Sequence, residues 1–153
     1  MRRFLKLLLT SVALVMVAAA VAFFLVDRKI VADDVSASGA QSAERAAQTT
    51  YRQNVAAINA GDQAAYLATV PPAKRAATEA KLGTSLSQGT RVTLQSFKVQ
   101  KVTATGVVAK VSLKQVTKHP AKTQVLENTV EFVRQGGRWY IQKSVLVNVI
   151  PAS

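Results

Sequence analysis

The residues able to do chemistry are few and scattered along the chain. The single histidine, His119, stands before Pro120 in a stretch, His119 to Lys122, that reads as a hairpin turn. A general base needs a partner within hydrogen-bond reach and a pocket around it, and a turn tip offers neither. With one histidine, no cysteine and 8 acidic residues in 153, the sequence holds no set of metal ligands, and disulfides, zinc-thiolate centres and cysteine nucleophiles are excluded. No glycine-rich phosphate loop lies between a strand and a helix, so no nucleotide cofactor is expected.

The remaining candidates each carry two readings. Asp62 follows Gly61, where it can face a pocket as an acid or cap a helix. Glu127 and Glu131 lie four apart on one strand, about 13 Å from each other, too far for an acid pair and well placed for cross-strand contacts with Lys110, Lys114 or Lys143. Lys143 interrupts an apolar phase of Trp139, Ile141, Val145, Val147 and Val149. Pointing inward it would have a lowered pKa and could act on a substrate, whereas a local bulge would turn it outward. Tyr51, Tyr66, Phe97, Phe132 and Trp139 recur at core spacing and could line an apolar pocket. The candidate pocket set is therefore Tyr51, Asp62, Tyr66, Trp139 and Lys143.

These residues must be positioned by helices followed by strands. Ser42 can cap a first helix whose apolar face is Ala47, Tyr51, Val55 and Ile58, ending at Asn59-Ala60-Gly61. Asp62 opens a short second helix to Val70, and Pro72 starts a third that runs to about Leu82. Beyond the loop from Gly83 to Gly89 the period becomes that of strands. Val92 and Leu94 share one phase and Phe97 and Val99 the opposite one, which predicts a bulge near Ser96. Val107, Ala109, Val111 and Leu113 alternate with Lys110 and Lys114, giving a second strand with one buried and one wet face. The third strand spans Thr123 to Arg134, and Gly136-Gly137 turns it into the fourth, which runs to Pro151. The fold class is α+β, three helices packed on a four-stranded antiparallel meander; the resemblance given below implies that the sheet is curved into a cone.

Charge is distributed unevenly. From Thr90 onward there are ten basic residues and two acidic ones, in a chain of formal net charge +12. An excess of this kind favours anionic partners, and Lys110, Lys114, Lys118, Arg134 and Arg138 form the candidate partner surface.

Arg2, Arg3 and Lys6 precede an uncharged run of 20 residues, Leu7 to Val26, which at about 1.5 Å per residue matches a bilayer core. The positive-inside rule places the N-terminus in the cytoplasm and the rest outside the cytoplasmic membrane. A cleaved signal peptide cut at Ala20-Val21-Ala22 is the alternative. The expected organisation is an anchor or signal peptide over residues 1–29, a flexible linker over 30–41 and one domain over 42–153.

Helix, Asn59-Ala60-Gly61-Asp62, short helix, proline, third helix and a meander closing on Gly136-Gly137-Arg138-Trp139 resembles the nuclear-transport-factor-2-like superfamily, also called SnoaL-like. That resemblance implies helices over a strongly curved sheet, with a ligand pocket in the mouth between them. With the N-terminal segment, the chain is also similar to the non-catalytic N-terminal domain of low-affinity class B penicillin-binding proteins and to scaffold subunits of conjugation and type IV secretion machines. It carries no Ser-x-x-Lys, and Lys122-Thr123-Gln124 departs from Lys-Thr-Gly, so transpeptidase chemistry is not expected.

The expectation is a non-enzymatic, membrane-anchored accessory or scaffold protein of the bacterial envelope. Its expected partners are the membrane through residues 7–26, other envelope proteins or an anionic wall polymer on the basic sheet face, and a second copy through the sheet. Two other readings stand beside it. One is a small-molecule binder or SnoaL-like enzyme using the cone interior. The other, ranked last because no aromatic residues interleave with the lysines, is nucleic-acid contact during DNA export.

Overall fold

The computed structural model describes residues 36–83, 85–87 and 89–152. The apolar run at residues 7–26 lies outside them, and among the described residues no helix is long and apolar enough to cross a membrane.

Helix α1 spans Ala37–Ala60. It starts earlier than Ser42 because Ser36 acts as the N-cap, its Oγ accepting from the Gly39 amide at 3.3 Å. Extending a nucleated helix through alanine-rich sequence costs little per residue, so the cap furthest upstream wins and part of the expected linker is helical. Ala43, Ala47, Tyr51 and Val55 form its buried stripe, and the methyl side chains of the two alanines let the helix lie close to the sheet. Gly61 ends it in the left-handed region at φ 65°, with the Asp62 amide closing back onto Ala57 O at 3.0 Å.

Helix α2 is Gln63–Ala68; a short 3-10 turn, Pro72–Lys74, leads into α3, Arg75–Leu82. Tyr66, Val70 and Leu82 pack with Ala57 of α1 in a small second cluster.

Strands β1 (Thr90–Val102), β2 (Gly106–Lys118), β3 (Ala121–Gln135) and β4 (Arg138–Pro151) form an antiparallel meander in the order β1-β2-β3-β4. The β2–β3 register runs unbroken from Gly106↔Val133 to Lys118↔Ala121, so these two strands fix which face is which. Val107, Ala109, Val111, Leu113, Leu126, Val130 and Phe132 are buried toward α1. Lys110, Ser112, Lys114, Glu127, Thr129 and Glu131 alternate with them and point to the outer face.

The outer strands are irregular. β1 slips register between Leu94 and Ser96, as its sequence phase predicts, and again between Val99 and Lys101. β4 slips opposite Glu131/Phe132 and opposite Glu127/Asn128, leaving Gln142 and Val147 as the extra residues. Four bulges on the two outer strands bend the sheet around α1, which is the physical content of the cone. The β4 edge is held by the helices: the Ile141 amide donates to Thr69 O at 2.8 Å and Lys74 Nζ donates to Gln142 O at 3.0 Å.

Candidate functional site

The space between helices and sheet is closed at its centre by aromatic rings. Tyr51 of α1 lies 6.2 Å from both Phe97 of β1 and Phe132 of β3, and those two are 5.8 Å apart, all in tilted or edge-on contact. Trp139 was expected among these rings; it is only half-buried and packs at the side of the cluster, its carbonyl accepting from Thr50 Oγ1 at 3.4 Å. Tyr51 takes the central place because it sits mid-helix, where the curved sheet approaches α1 from both sides.

A set of buried polar groups adjoins the rings. Asn54, one turn after Tyr51, donates through Nδ2 to Thr69 Oγ1 at 2.8 Å, and Thr69 Oγ1 donates to Tyr66 O at 2.7 Å. Burial pushes the Tyr66 hydroxyl up to about 12, with hydrogen bonding to Asn54 pulling the other way. Burial also raises Tyr51, and the neighbouring Tyr66 adds to the effect. Both phenols are therefore neutral hydrogen-bond donors across the ordinary pH range.

Further along the same face of the sheet lie three carboxamides. Gln115, Gln124 and Asn128 are each 4% exposed or less. Gln124 Nε2 donates to Gln115 Oε1 at 2.8 Å. Gln124 Oε1 and Asn128 Nδ2 have no hydrogen-bond partner among the described residues. Leaving such groups unpaired in a low-dielectric interior costs about 1–3 kcal/mol each, so each of the two atoms could take a further hydrogen bond.

Of the five candidate pocket residues, the structure brings together Tyr51 and Tyr66 and leaves Asp62 and Lys143 apart from them. Asp62 is exposed and its Oδ1 accepts from the Ala65 amide at 2.9 Å, the arrangement of an N-cap. Lys143 is carried to the outer face by the bulge at Gln142 and stands opposite Glu131. Lys110, Lys114 and Lys118 are exposed on the outer side of β2, as the alternation requires. Arg134 shares the parity of Phe132 and so lies on the other side of the sheet from them, at the rim, while Arg138 faces Gln135 at the β3–β4 turn. His119 is exposed in the β2–β3 turn.

Asn54, Thr69, Gln115, Gln124 and Asn128 were not singled out by motif or spacing. A signal was present for three of them: Gln115, Gln124 and Asn128 occupy the apolar phase of their strands, where a polar residue is out of place unless something pairs with it.

The architecture, helices over a curved antiparallel meander, is shared by solved structures, among them proteins described as NTF2-like and cystatin-like. It superimposes on a candidate scytalone dehydratase from Novosphingobium aromaticivorans with TM-score 0.61 and 11% identity, over 77% of this chain and 93% of that one. The hexachlorocyclohexane dehydrochlorinase LinA, type 3, from Novosphingobium barchaimii gives 0.58 and 11% over 77% and 95%. An NTF2-like protein of unknown function from Pseudomonas putida gives 0.56 and 15% over 69% and 86%. No protein-family model and no curated protein matches the sequence. At these identities the likeness establishes the fold.

It also overturns the expectation that the domain is non-enzymatic. That expectation rested on the lack of a recognisable catalytic constellation, yet the same cone carries a dehydrochlorinase in LinA. A curved sheet draws its interior residues from distant positions, so no local motif is needed and its absence excludes nothing.

Proposed function

We infer that this is a small-molecule-binding domain that uses the cone interior in the manner of a SnoaL-like enzyme. The observation that supports the reading is the set of buried polar groups on the interior side of the sheet: two protonated phenols, Tyr51 and Tyr66, and, further along, two unpartnered carboxamide atoms, Gln124 Oε1 and Asn128 Nδ2. Sites of this composition accept a mostly apolar molecule and orient it through a few placed polar groups.

The neutral character of the lining defines what it would do. With phenols and amides as donors, it favours a ligand carrying a carbonyl or hydroxyl oxygen over a free anion. Tyr51 and Tyr66 would donate to that oxygen and stabilise negative charge developing on it, an effect strengthened by the low dielectric around them. Asn54 holds Tyr66 in place through Thr69. In an elimination of the kind named for the dehydrochlorinase and the candidate dehydratase, donors of this type would stabilise the departing halide or hydroxyl while the proton passes to water as the base.

The test is to incubate the full chain, in neutral detergent, with a panel of cyclic ketones, hydroxyketones and chlorinated hydrocarbons, following thermal stabilisation and product formation by mass spectrometry. At least one compound should stabilise the protein, and Tyr66→Phe should weaken that binding about tenfold, the loss of roughly 1–2 kcal/mol for one hydrogen bond. A panel that neither stabilises the protein nor reacts, or a response indifferent to both Tyr51→Phe and Tyr66→Phe, would overturn the reading.

A further inference from the structure

The outer face of the sheet carries a feature that the interior site does not use. A cleft of about 90 Å³ opens there, lined by Ser96, Lys98, Lys110, Ser112 and Glu127, with Val111 at its base. Lys98 stands directly opposite Lys110 in the β1–β2 register, and Ser96 directly opposite Ser112. On its other side Lys110 faces Thr129, so neither lysine has a carboxylate directly across from it. Like charges opposite one another on a sheet are destabilising, and nothing in the packing requires this pair, since both side chains are exposed.

The arrangement depends on an irregularity in β1. Val92 and Leu94 face the interior, and an unbroken strand would send Ser96 and Lys98 inward after them. The slip between Leu94 and Ser96 reverses the phase, so that Phe97 enters the core while Ser96 and Lys98 turn outward beside Ser112 and Lys110. One bulge thus builds both the aromatic closure inside and a square of two ammonium and two hydroxyl groups outside.

We propose that this square binds a phosphoryl group. Two ammonium groups and two hydroxyls supply hydrogen-bond donors from adjacent strands to a compact oxyanion, and the cleft is large enough for a single tetrahedral group. A bound phosphate neutralises the Lys98–Lys110 repulsion, so the ligand offsets a cost that the unliganded fold carries. Glu127 borders the cleft, and Asn148 Nδ2 donates to its Oε2 at 3.4 Å. Its charge weakens the hold on a bare dianion and gives the cleft an acceptor for a hydroxyl or amine next to the phosphoryl group. The same chemistry is offered by a soluble phosphate compound and by a phospholipid headgroup.

The experiment compares the thermal transition of the full chain in neutral detergent with inorganic phosphate against chloride at matched ionic strength. A parallel arm dopes the micelles with phosphatidylglycerol. A ligand that binds only the folded state raises the transition in a concentration-dependent way. Phosphate should raise it more than chloride, and the difference should vanish in Lys98→Ala and in Lys110→Ala. Each of those variants should be at least as stable as the parent in chloride, because the like-charge pair is relieved, so loss of the response is not loss of the fold. Glu127→Gln should strengthen the response severalfold, and Lys98→Arg should retain it. A response to inorganic phosphate identifies a soluble ligand. One seen only with phosphatidylglycerol, and lost in the same alanine variants, identifies a headgroup. Equal effects of phosphate and chloride with no lipid response, or effects that survive Lys98→Ala and Lys110→Ala, overturn the proposal.

Discussion

Tyr66 is the residue through which the interior can be probed without a ligand. It is 3% exposed and its hydroxyl is pushed up to about 12 by burial. The folded state therefore prefers the neutral phenol, while in the unfolded chain the group ionises at its ordinary value near 10. The stability associated with it is complete below about pH 10 and is lost as the pH rises toward 12, amounting to roughly 2–3 kcal/mol at the upper end. Urea midpoints should be flat from neutral to mildly alkaline conditions and fall steeply above about pH 10. Tyr66→Phe should flatten that fall, leaving the part due to Tyr51, whose pKa is also raised. A parent protein with unchanged midpoint at about pH 11 would mean that the hydroxyl is not buried as described. Asn54 acts on the same group: hydrogen bonding to it lowers the Tyr66 pKa, so Asn54→Ala should raise that pKa further and, by leaving Thr69 with one partner fewer in the interior, destabilise the fold by about 1–3 kcal/mol.

At the scale of elements, the decisive joint is between the end of α1 and the start of β1. The Asn59 carboxamide accepts from the Val92 amide and donates to the Val92 carbonyl, both at 2.7 Å, as a neighbouring strand would. A helix is thereby pinned in register to an edge strand. Asn59→Ala should cost about 1–2 kcal/mol, two exchanged hydrogen bonds being partly replaced by water. Asn59→Asp should cost no less, because a carboxylate keeps the acceptor and loses the donor. The comparison is read from urea denaturation of both variants. The sequence made Asn59-Ala60-Gly61 legible as a helix end, since Gly61 adopts φ 65°, but the bond to Val92 depends on a contact thirty-three residues away that no local pattern encodes. The strands divide in the same way. In β2 and β3, where the register is unbroken, alternation places every side chain correctly. In β1 the phase change at Ser96 betrayed its bulge. In β4 the bulge at Gln142 turns Lys143 outward, the outcome that the charge interrupting an apolar phase favours, whereas the bulge at Val147 lies in Val145-Leu146-Val147, which reads alike in either phase. Val145 and Val147 accordingly belong to the exposed surface and not to the core, Val147 being 58% exposed. The buried amides Gln115, Gln124 and Asn128 stand out as polar residues in an apolar phase, but what pairs with them is hidden from the sequence: periodicity finds a face, while the partner that makes a polar residue acceptable on that face is a property of the assembled fold.

The whole molecule must hold together against its own charge. Ten basic residues and two acidic ones fall in the strands and turns from Thr90 onward, and the net charge of the chain is +12. On the outer face only Glu127 and Glu131 interrupt the lysines, and Glu131 faces Lys143 across β3–β4. Folding brings these charges closer than they are in the unfolded chain, so self-repulsion opposes the compact state. The Debye length falls from about 30 Å at 0.01 M to about 8 Å near 0.15 M, which spans the width of the sheet at the low end and only neighbouring strands at the high end. Added sodium chloride should therefore raise the thermal transition over that range, by a few degrees for a domain of this size if the relief is on the order of 1 kcal/mol. Lys98→Glu replaces a directly opposed like pair by an opposite one with Lys110. It should raise the transition in low salt and shrink the gain on adding salt, since the term that salt screens has been reduced. A parent protein whose stability falls on adding chloride would show that attractive contacts dominate the outer face. Its lysines would then be satisfied within the domain, leaving no positive field to offer a partner.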